Sequence, residues 1–144
     1  MSMPRKFKMK KFEDVTESKG SVALEEYAGT IFKRVSVDLK VKHFKLSMTI
    51  MKPGQKIPTH SHPTAEEVHL LMSGKSTVTV DGEKVKAEAI TAFYFPPGSN
   101  YGLINDSKGD ATWIFIGAPV DEYVDDKKYK WVRKGNSYVR VLAK

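Results

Sequence analysis

Two histidines and a glutamate lie close together near the middle of the chain. His60 and His62 are separated by one residue, and Glu67 follows five positions later. In an extended strand, alternate side chains point to the same face, so the two imidazoles can take adjacent positions on one ion. The proline after His62 ends this strand, and a second apolar strand then brings the carboxylate to the same point. These three side chains therefore predict one half of a metal site.

The donor types narrow the choice of ion. Two imidazoles and one carboxylate form the facial triad associated with iron(II), and the same set accepts Mn, Zn, Ni or Co. The chain has no cysteine, so a thiolate ligand, a thiol nucleophile and a disulfide are all excluded. We expect one divalent metal ion, with Fe or Mn favoured and Zn or Ni as alternatives.

The spacing of these residues resembles the first motif of the cupin superfamily. Its fixed positions are filled by Gly54, His60, His62, Glu67 and Gly74. Glu66 fits a shorter spacing of the motif and is the alternative ligand.

A second segment resembles the second cupin motif in part. Pro96, Gly98 and Asn105 fill its positions, but Ile90 replaces its opening glycine and Tyr101 replaces its usual fourth ligand, a histidine. The resemblance extends over about residues 40–118. It implies a small single-domain cupin of the type-2 conserved-barrel kind, an antiparallel barrel of two packed sheets with the metal at its wider mouth.

Two further residues are candidates for catalysis. Tyr101 is a fourth ligand, a proton donor or acceptor for bound substrate, or an aromatic wall; as a ligand it would need the metal to stabilise its phenolate. His69 lies two residues after Glu67 and so faces the same side of the strand. It is either the replacement for the missing histidine or a hydrogen-bonding partner that holds Glu67 or a bound water.

The hydrophobic pattern predicts an all-β fold, a double-stranded antiparallel β-barrel of the jelly-roll, cupin-like kind. Apolar residues alternate over residues 43–50, as in a strand with one buried face. The runs 90–95 and 111–116 are almost continuously apolar, as in strands covered on both faces. Asp81 and Gly82 form the turn of the clearest predicted hairpin.

These patterns divide the chain into three segments. Residues 1–29 are a basic N-terminal segment, with a possible short helix from Glu17 to Gly29. Residues 30–118 form the barrel. Residues 119–144 are a C-terminal extension that forms a hairpin added to the sheet or an arm that reaches a partner.

The charge is concentrated at the two ends of the chain. The net charge is +7, but residues 1–12 hold five basic residues and residues 127–144 hold seven, with no acid in either segment. The remaining residues hold twelve basic and seventeen acidic side chains, so the body is acidic and nucleic-acid binding is not favoured. The basic N-terminus leads into no apolar stretch, so we expect a cytoplasmic protein without a membrane span.

Two functions fit this sequence. The first is a metal-dependent enzyme, a dioxygenase, isomerase or lyase, acting on a small oxygen-rich molecule. The second is a non-catalytic cupin that binds a sugar or small acid and whose metal is structural.

Because the apolar strands need cover on their outer face in a chain of this size, we also expect a homodimer.

Overall fold

The computed structural model describes residues 33–36, 42–120, 123 and 128–143. The strands are β1 (Lys33–Ser36), β2 (Lys45–Met51), β3 (Lys56–Ser61), β4 (Glu66–Ser73), β5 (Lys75–Val80), β6 (Glu83–Glu88), β7 (Thr91–Phe95), β8 (Tyr101–Ile104), β9 (Ala111–Ala118), β10 (Tyr129–Lys134) and β11 (Ser137–Leu142). The first sheet has the order β1-β2-β9-β4-β7, and the second has the order β10-β11-β3-β8-β5-β6. The predicted all-β, jelly-roll fold is confirmed.

The core lies between the two sheets. Its largest fully buried apolar side chains come from both sheets and are Met51, Leu71, Val78, Phe95 and Trp113. Each comes from a strand whose side chains alternate between the inner and outer faces. The same alternation brings polar residues of β3 and β4 into the interior at one end, and these residues form the site described below.

The buried face of β2 is not the apolar face that its sequence pattern indicates. Ser47 and Thr49 point inward and are buried, whereas the alternating apolar residues lie half-buried on the outer face. The register explains this inversion, because Ser47 pairs with Phe115 and Thr49 pairs with Trp113 on β9. Large rings on β9 fill the interior, so small side chains fit beside them.

In the described part of the chain, one face of residues 90–95 is buried and the other is exposed, and this exposed face is the one that the sequence predicts a second copy of the chain to cover. Within the described residues, strand β7 pairs with β4 alone and forms one edge of the first sheet. Ile90 is 72% exposed and Tyr94 is 59% exposed, whereas Phe95 is buried. The run therefore has one inner face and one outer face. Strand β9 is central in this sheet. Ala111, Trp113 and Gly117 on its inner face are buried, whereas Ile116 on its outer face is exposed.

A hairpin forms each edge of the second sheet. Strands β5 and β6 pair through Asp81 and Gly82, both with positive φ, as the turn chemistry predicts. In the C-terminal extension, β10 and β11 pair around Gly135, and β11 then adds to β3 in parallel. The possible helix at residues 17–29 lies outside the described residues. A helix long and apolar enough to cross a membrane does not occur in the part of the chain that the structure describes.

Candidate metal centre

A bulge in β3 turns the two histidines into the interior. Ile57 pairs with Leu103, but His60 rather than Thr59 pairs with Tyr101, so β3 holds one extra residue between these pairs. Ile57 packs against the core. Strict alternation from Ile57 would place His60 on the outer face, and the extra residue restores its inward direction. His60 and His62 are both buried as a result.

Glu67 reaches the same point from the first sheet. It lies on the inner face of β4 and is buried. One potential ligand atom from each of His60, His62 and Glu67 lies within 4.8 Å of the others. The Oε1 atom of Glu67 is 3.2 Å from Nε2 of His62. The three side chains that the sequence spacing brings together therefore converge in the folded chain.

The surroundings of His60 leave one of its nitrogens available to an ion. Its Nδ1 lies 2.9 Å from the carbonyl oxygen of Pro58, to which the N–H donates. Nε2 then carries the lone pair. Burial, reinforced by neighbouring His62, lowers the pKa of His60 to about 4, so the imidazole is neutral at pH 7. A neutral imidazole whose orientation is fixed by a backbone carbonyl is suited to bind a metal.

The carboxyl group of Glu67 is ionised. Burial alone would raise its pKa, but the hydrogen bond from His69 and the adjacent imidazoles outweigh burial and lower the pKa to about 2. Nε2 of His69 lies 2.8 Å from Oε2. The hydroxyl of Tyr123 donates to Oε1 over 2.7 Å. Both oxygens of Glu67 are therefore held by side chains outside the three-residue cluster.

Glu66, the alternative ligand, lies on the opposite face of β4. It is exposed and accepts a hydrogen bond of 2.8 Å from the hydroxyl of Tyr94. Consecutive residues of a strand point to opposite faces, so only one of the two glutamates can face the histidines. The structure places Glu67 with them.

The two candidate catalytic residues lie beside the cluster. Tyr101 is buried, its ring is stacked on Phe95 with centroids 3.9 Å apart, and its hydroxyl is 3.3 Å from Nε2 of His69. Because the Nε2–H of His69 donates to the carboxylate of Glu67, the hydroxyl oxygen of Tyr101 can only accept the same N–H, as the longer branch of a shared hydrogen bond. Nδ1 of His69 is buried and has no hydrogen-bonding partner among the described residues.

The residues of the second motif have structural contacts in this fold. The backbone N–H of Gly98 donates to the carbonyl of His62 over 2.8 Å, so this turn fixes the end of β3. Asn105 is fully buried, and its side-chain amide donates to the carbonyls of Met51 and Gly109. These contacts join the chain segments that surround the histidine strand.

Two aromatic residues of the site were not predicted from the sequence. Tyr123 contacts Glu67 from a position 56 residues away, and its ring centroid is 5.1 Å from that of His62. The ring centroid of Trp131 lies 5.5 Å from that of His60 and 5.2 Å from that of His62. Both residues belong to the C-terminal extension. Alternation in β10 could have placed Trp131 on one face of a strand, but no motif marked Tyr123.

The donor set fits a divalent metal ion. Two imidazoles and one ionised carboxylate meet at one point, and the His60 ring and the Glu67 carboxylate are each oriented by a further hydrogen bond. The arrangement defines a class of protein: a small β-barrel whose interior holds a cluster of three potential metal ligands.

Residues 47–117 match the family model described as a cupin domain. With the jelly-roll fold described above, this match identifies residues 47–117 as a cupin domain of the small type-2 kind.

Similar proteins carry different names. The chain is 28% identical over 75 residues to a Streptomyces cyaneus protein named polyketide synthase CurC; the match covers 52% of this chain and 49% of that protein. The chain thus spans about half the length of this curated relative. A sugar phosphate isomerase of the cupin superfamily from Silicibacter pomeroyi has a similar structure, with a TM-score of 0.69, 14% identity and coverage of 92% of this chain and 90% of that one. A protein from Thermotoga maritima described as a predicted oxalate decarboxylase has a TM-score of 0.65, 14% identity and coverage of 76% and 96%.

Proposed function

We propose that this protein is a metal-dependent enzyme that acts on a small oxygen-rich molecule. The convergence of His60, His62 and Glu67 is the observation that carries the proposal. These residues would hold one divalent ion, with Fe or Mn favoured and Zn or Ni as alternatives. Bidentate oxygen compounds such as hydroxy acids, keto acids, diols or uronates suit an ion with open positions.

The ion would supply Lewis-acid catalysis, or redox chemistry with O2 if it is iron. The protein side chains would bind and orient the substrate and move protons. His69 holds the ligand carboxylate through its Nε2–H, and the Tyr101 hydroxyl lies beside the same nitrogen. The hydroxyl oxygen of Tyr101 shares this N–H, so its own proton can be donated to a bound substrate while the imidazole holds the phenol, which supports an acid–base role for Tyr101 and His69.

The reaction class is a dioxygenase, isomerase or lyase. Proteins of similar structure include one named an isomerase and one described as a predicted decarboxylase. The fold hosts several chemistries, so the site has to be tested directly. An oxygenase would consume O2 with its substrate. An isomerase or lyase would turn over under anaerobic conditions with Zn or Mn.

A non-catalytic cupin that binds a small ligand or sugar around a structural metal is the second candidate. The packing of Tyr101 favours it, because this residue replaces the family's fourth histidine and stacks flat on Phe95 within the core. Under this alternative, Tyr101→Phe would leave ligand affinity unchanged. An enzyme would lose turnover on the same substitution while keeping its metal.

Metal content of freshly purified protein is the first test, measured by plasma emission for the wild type and His62→Ala. About one ion per chain in the wild type, lost in His62→Ala, would support the site, as expected when one ligand of three is removed. The identity of the ion would then separate O2 chemistry from Lewis-acid catalysis. Absence of metal from both proteins, even after reconstitution, would contradict the proposal.

We also propose that two chains associate through the outer face of the first sheet. Val68 pairs with Tyr94 on β7 and with Ile116 on β9, and all three side chains are exposed on this face. Met72 extends the apolar surface along β4. A second copy of the chain presents an identical apolar face, which a two-fold axis would bring into register.

A further inference from the structure

The C-terminal extension contributes a direct contact to the candidate metal ligands. The hydroxyl of Tyr123 donates to Oε1 of Glu67 over 2.7 Å. The same oxygen lies 3.2 Å from Nε2 of His62, so the phenol contacts the side of the carboxylate that faces His62. The other oxygen is held by His69 at 2.8 Å. Together the two hydrogen bonds fix both the position and the rotation of the carboxylate.

A glycine makes room for this phenol. Gly117 on β9 is the register partner of Glu67 on β4, and it is buried. A Cβ atom at this position would lie 2.5 Å from Oη and 2.6 Å from Cζ of Tyr123, and 2.8 Å from Cζ of Phe115. Atoms at such distances overlap, so a methyl group here would displace the ends of both side chains, and that of Tyr123 the more. Gly117 and Tyr123 therefore form one structural unit.

We propose that Tyr123 is a positioning residue of the metal centre, and that Gly117 is the gap through which Tyr123 reaches Glu67. The inference rests on the proposed metal-dependent function. A carboxylate that loses the partner of one oxygen gains rotational freedom, and loss of such an outer partner typically lowers metal affinity by about 10–100-fold. Tyr123 lies beyond residue 117, where the family match ends. The extension thus completes a site whose ligands come from the family domain.

The test is Co²⁺ affinity, measured by competition with a chromophoric chelator at fixed pH. We expect Tyr123→Phe and Gly117→Ala each to weaken binding by about 10–100-fold. Because both changes remove the same contact, their effects should not add. The double variant should bind Co²⁺ no more weakly than the single variant that has the lower Co²⁺ affinity. The absorption spectrum of the saturated Co²⁺ protein should also change in Tyr123→Phe, since the carboxylate can adopt a second binding mode. A general loss of stability would not alter that spectrum.

Tyr94→Phe is the matched control. Tyr94 also donates a hydrogen bond to a glutamate of β4, at 2.8 Å, but this glutamate is Glu66 on the outer face. Its loss should leave Co²⁺ affinity and the spectrum unchanged. The comparison of Tyr123→Phe with Tyr94→Phe is sufficient if Gly117→Ala does not fold.

Two results would overturn the inference, and they can be distinguished. If Tyr123→Phe binds Co²⁺ within about twofold of the wild type and with the same spectrum, Tyr123 does not position the ligand, because an outer partner has a larger effect. If the wild type itself binds no Co²⁺, the proposed metal function fails and the inference fails with it.

Discussion

At the scale of residues, one step along β4 separates a buried glutamate from an exposed one. Glu67 meets the two imidazoles, whereas Glu66 faces outward toward Tyr94. The electrostatic environment agrees with this division, since the neighbouring imidazoles stabilise the charge of Glu67 against the cost of burial.

Substitution of each glutamate tests this division. Glu67→Gln removes an ionised ligand and should lower metal affinity by at least about a hundredfold, more than the loss of an outer partner. Glu66→Gln should leave the affinity unchanged. Isothermal titration of the metal-free proteins with Zn²⁺ or Mn²⁺ measures both. Equal effects of the two substitutions would contradict the placement of Glu67 as the ligand.

The neutral state of His60 predicts a pH dependence of stability in the metal-free protein. Its pKa is about 4 when folded, against 6.5 for an unperturbed histidine, so the unfolded chain binds the proton more readily. The free energy of unfolding should therefore fall as pH decreases from about 6.5 to about 4, by about 3 kcal/mol in all. Urea denaturation in the presence of a chelator measures this change.

His60→Gln should reduce the dependence on pH over this range. His43→Gln is the control, because His43 is exposed and outside the site. A curve that is the same for wild type and His60→Gln would show that His60 is not buried in its neutral form.

At the scale of elements, the bulge in β3 and Gly102 in β8 depend on each other. A Cβ atom on Gly102 would lie 2.8 Å from the carbonyl oxygen of Ile57 and 2.9 Å from the backbone N of Thr59. Both atoms belong to the backbone of the bulged strand, so neither can move aside as a side chain would. The bulge that directs His60 inward therefore requires a glycine on the neighbouring strand.

Gly102→Ala should lower the free energy of unfolding by about 2 kcal/mol or more, because the added methyl group overpacks two strands. Gly109→Ala is the matched control, since no atom lies within 4 Å of a Cβ there. Chemical denaturation of the two variants gives the comparison. A loss of equal size in both would contradict the close approach of β3 and β8.

The same strand shows how far the sequence predicts the site. The spacing of His60, His62 and Glu67 was sufficient, because alternation and one turn bring neighbouring residues to one point. The bulge was not predictable, since it depends on pairing with β8, more than 40 residues away. Tyr123 was missed for the same reason, because its contact with Glu67 crosses 56 residues and has no local signal. The buried face of β2 was assigned wrongly because rings on β9 determine which of its faces fits the interior.

At the scale of the whole molecule, the two outer faces differ in exposed apolar surface. The first sheet exposes Val68, Met72, Tyr94 and Ile116, and we propose that a second chain covers them. Val68→Lys or Ile116→Lys should then prevent association, because a charge would be buried in an apolar contact. Sedimentation equilibrium should give a molecular mass of twice 16.2 kDa for the wild type, as for a dimer, and of 16.2 kDa for the variants, as for a monomer.

Val85→Lys is the control for this experiment. Val85 is also an exposed valine, but it lies on β6 in the second sheet. Its substitution should leave the dimer intact. A monomeric wild type, or dissociation by Val85→Lys alone, would overturn the proposed interface.

The parallel pairing of β11 with β3 sets an order of events during protein synthesis. His60 pairs with Tyr138, although 78 residues separate them in the chain. At a translation rate of about 5–20 residues per second, Tyr138 is added roughly 4 to 16 seconds after His60. Once Glu67 has been added, seven residues after His60, the nascent chain holds all three candidate ligands but still lacks β11, the strand that pairs with β3. Until β11 has been made, the edge of β3 that pairs with it is uncovered, so an ion that bound early would bind to an incomplete site.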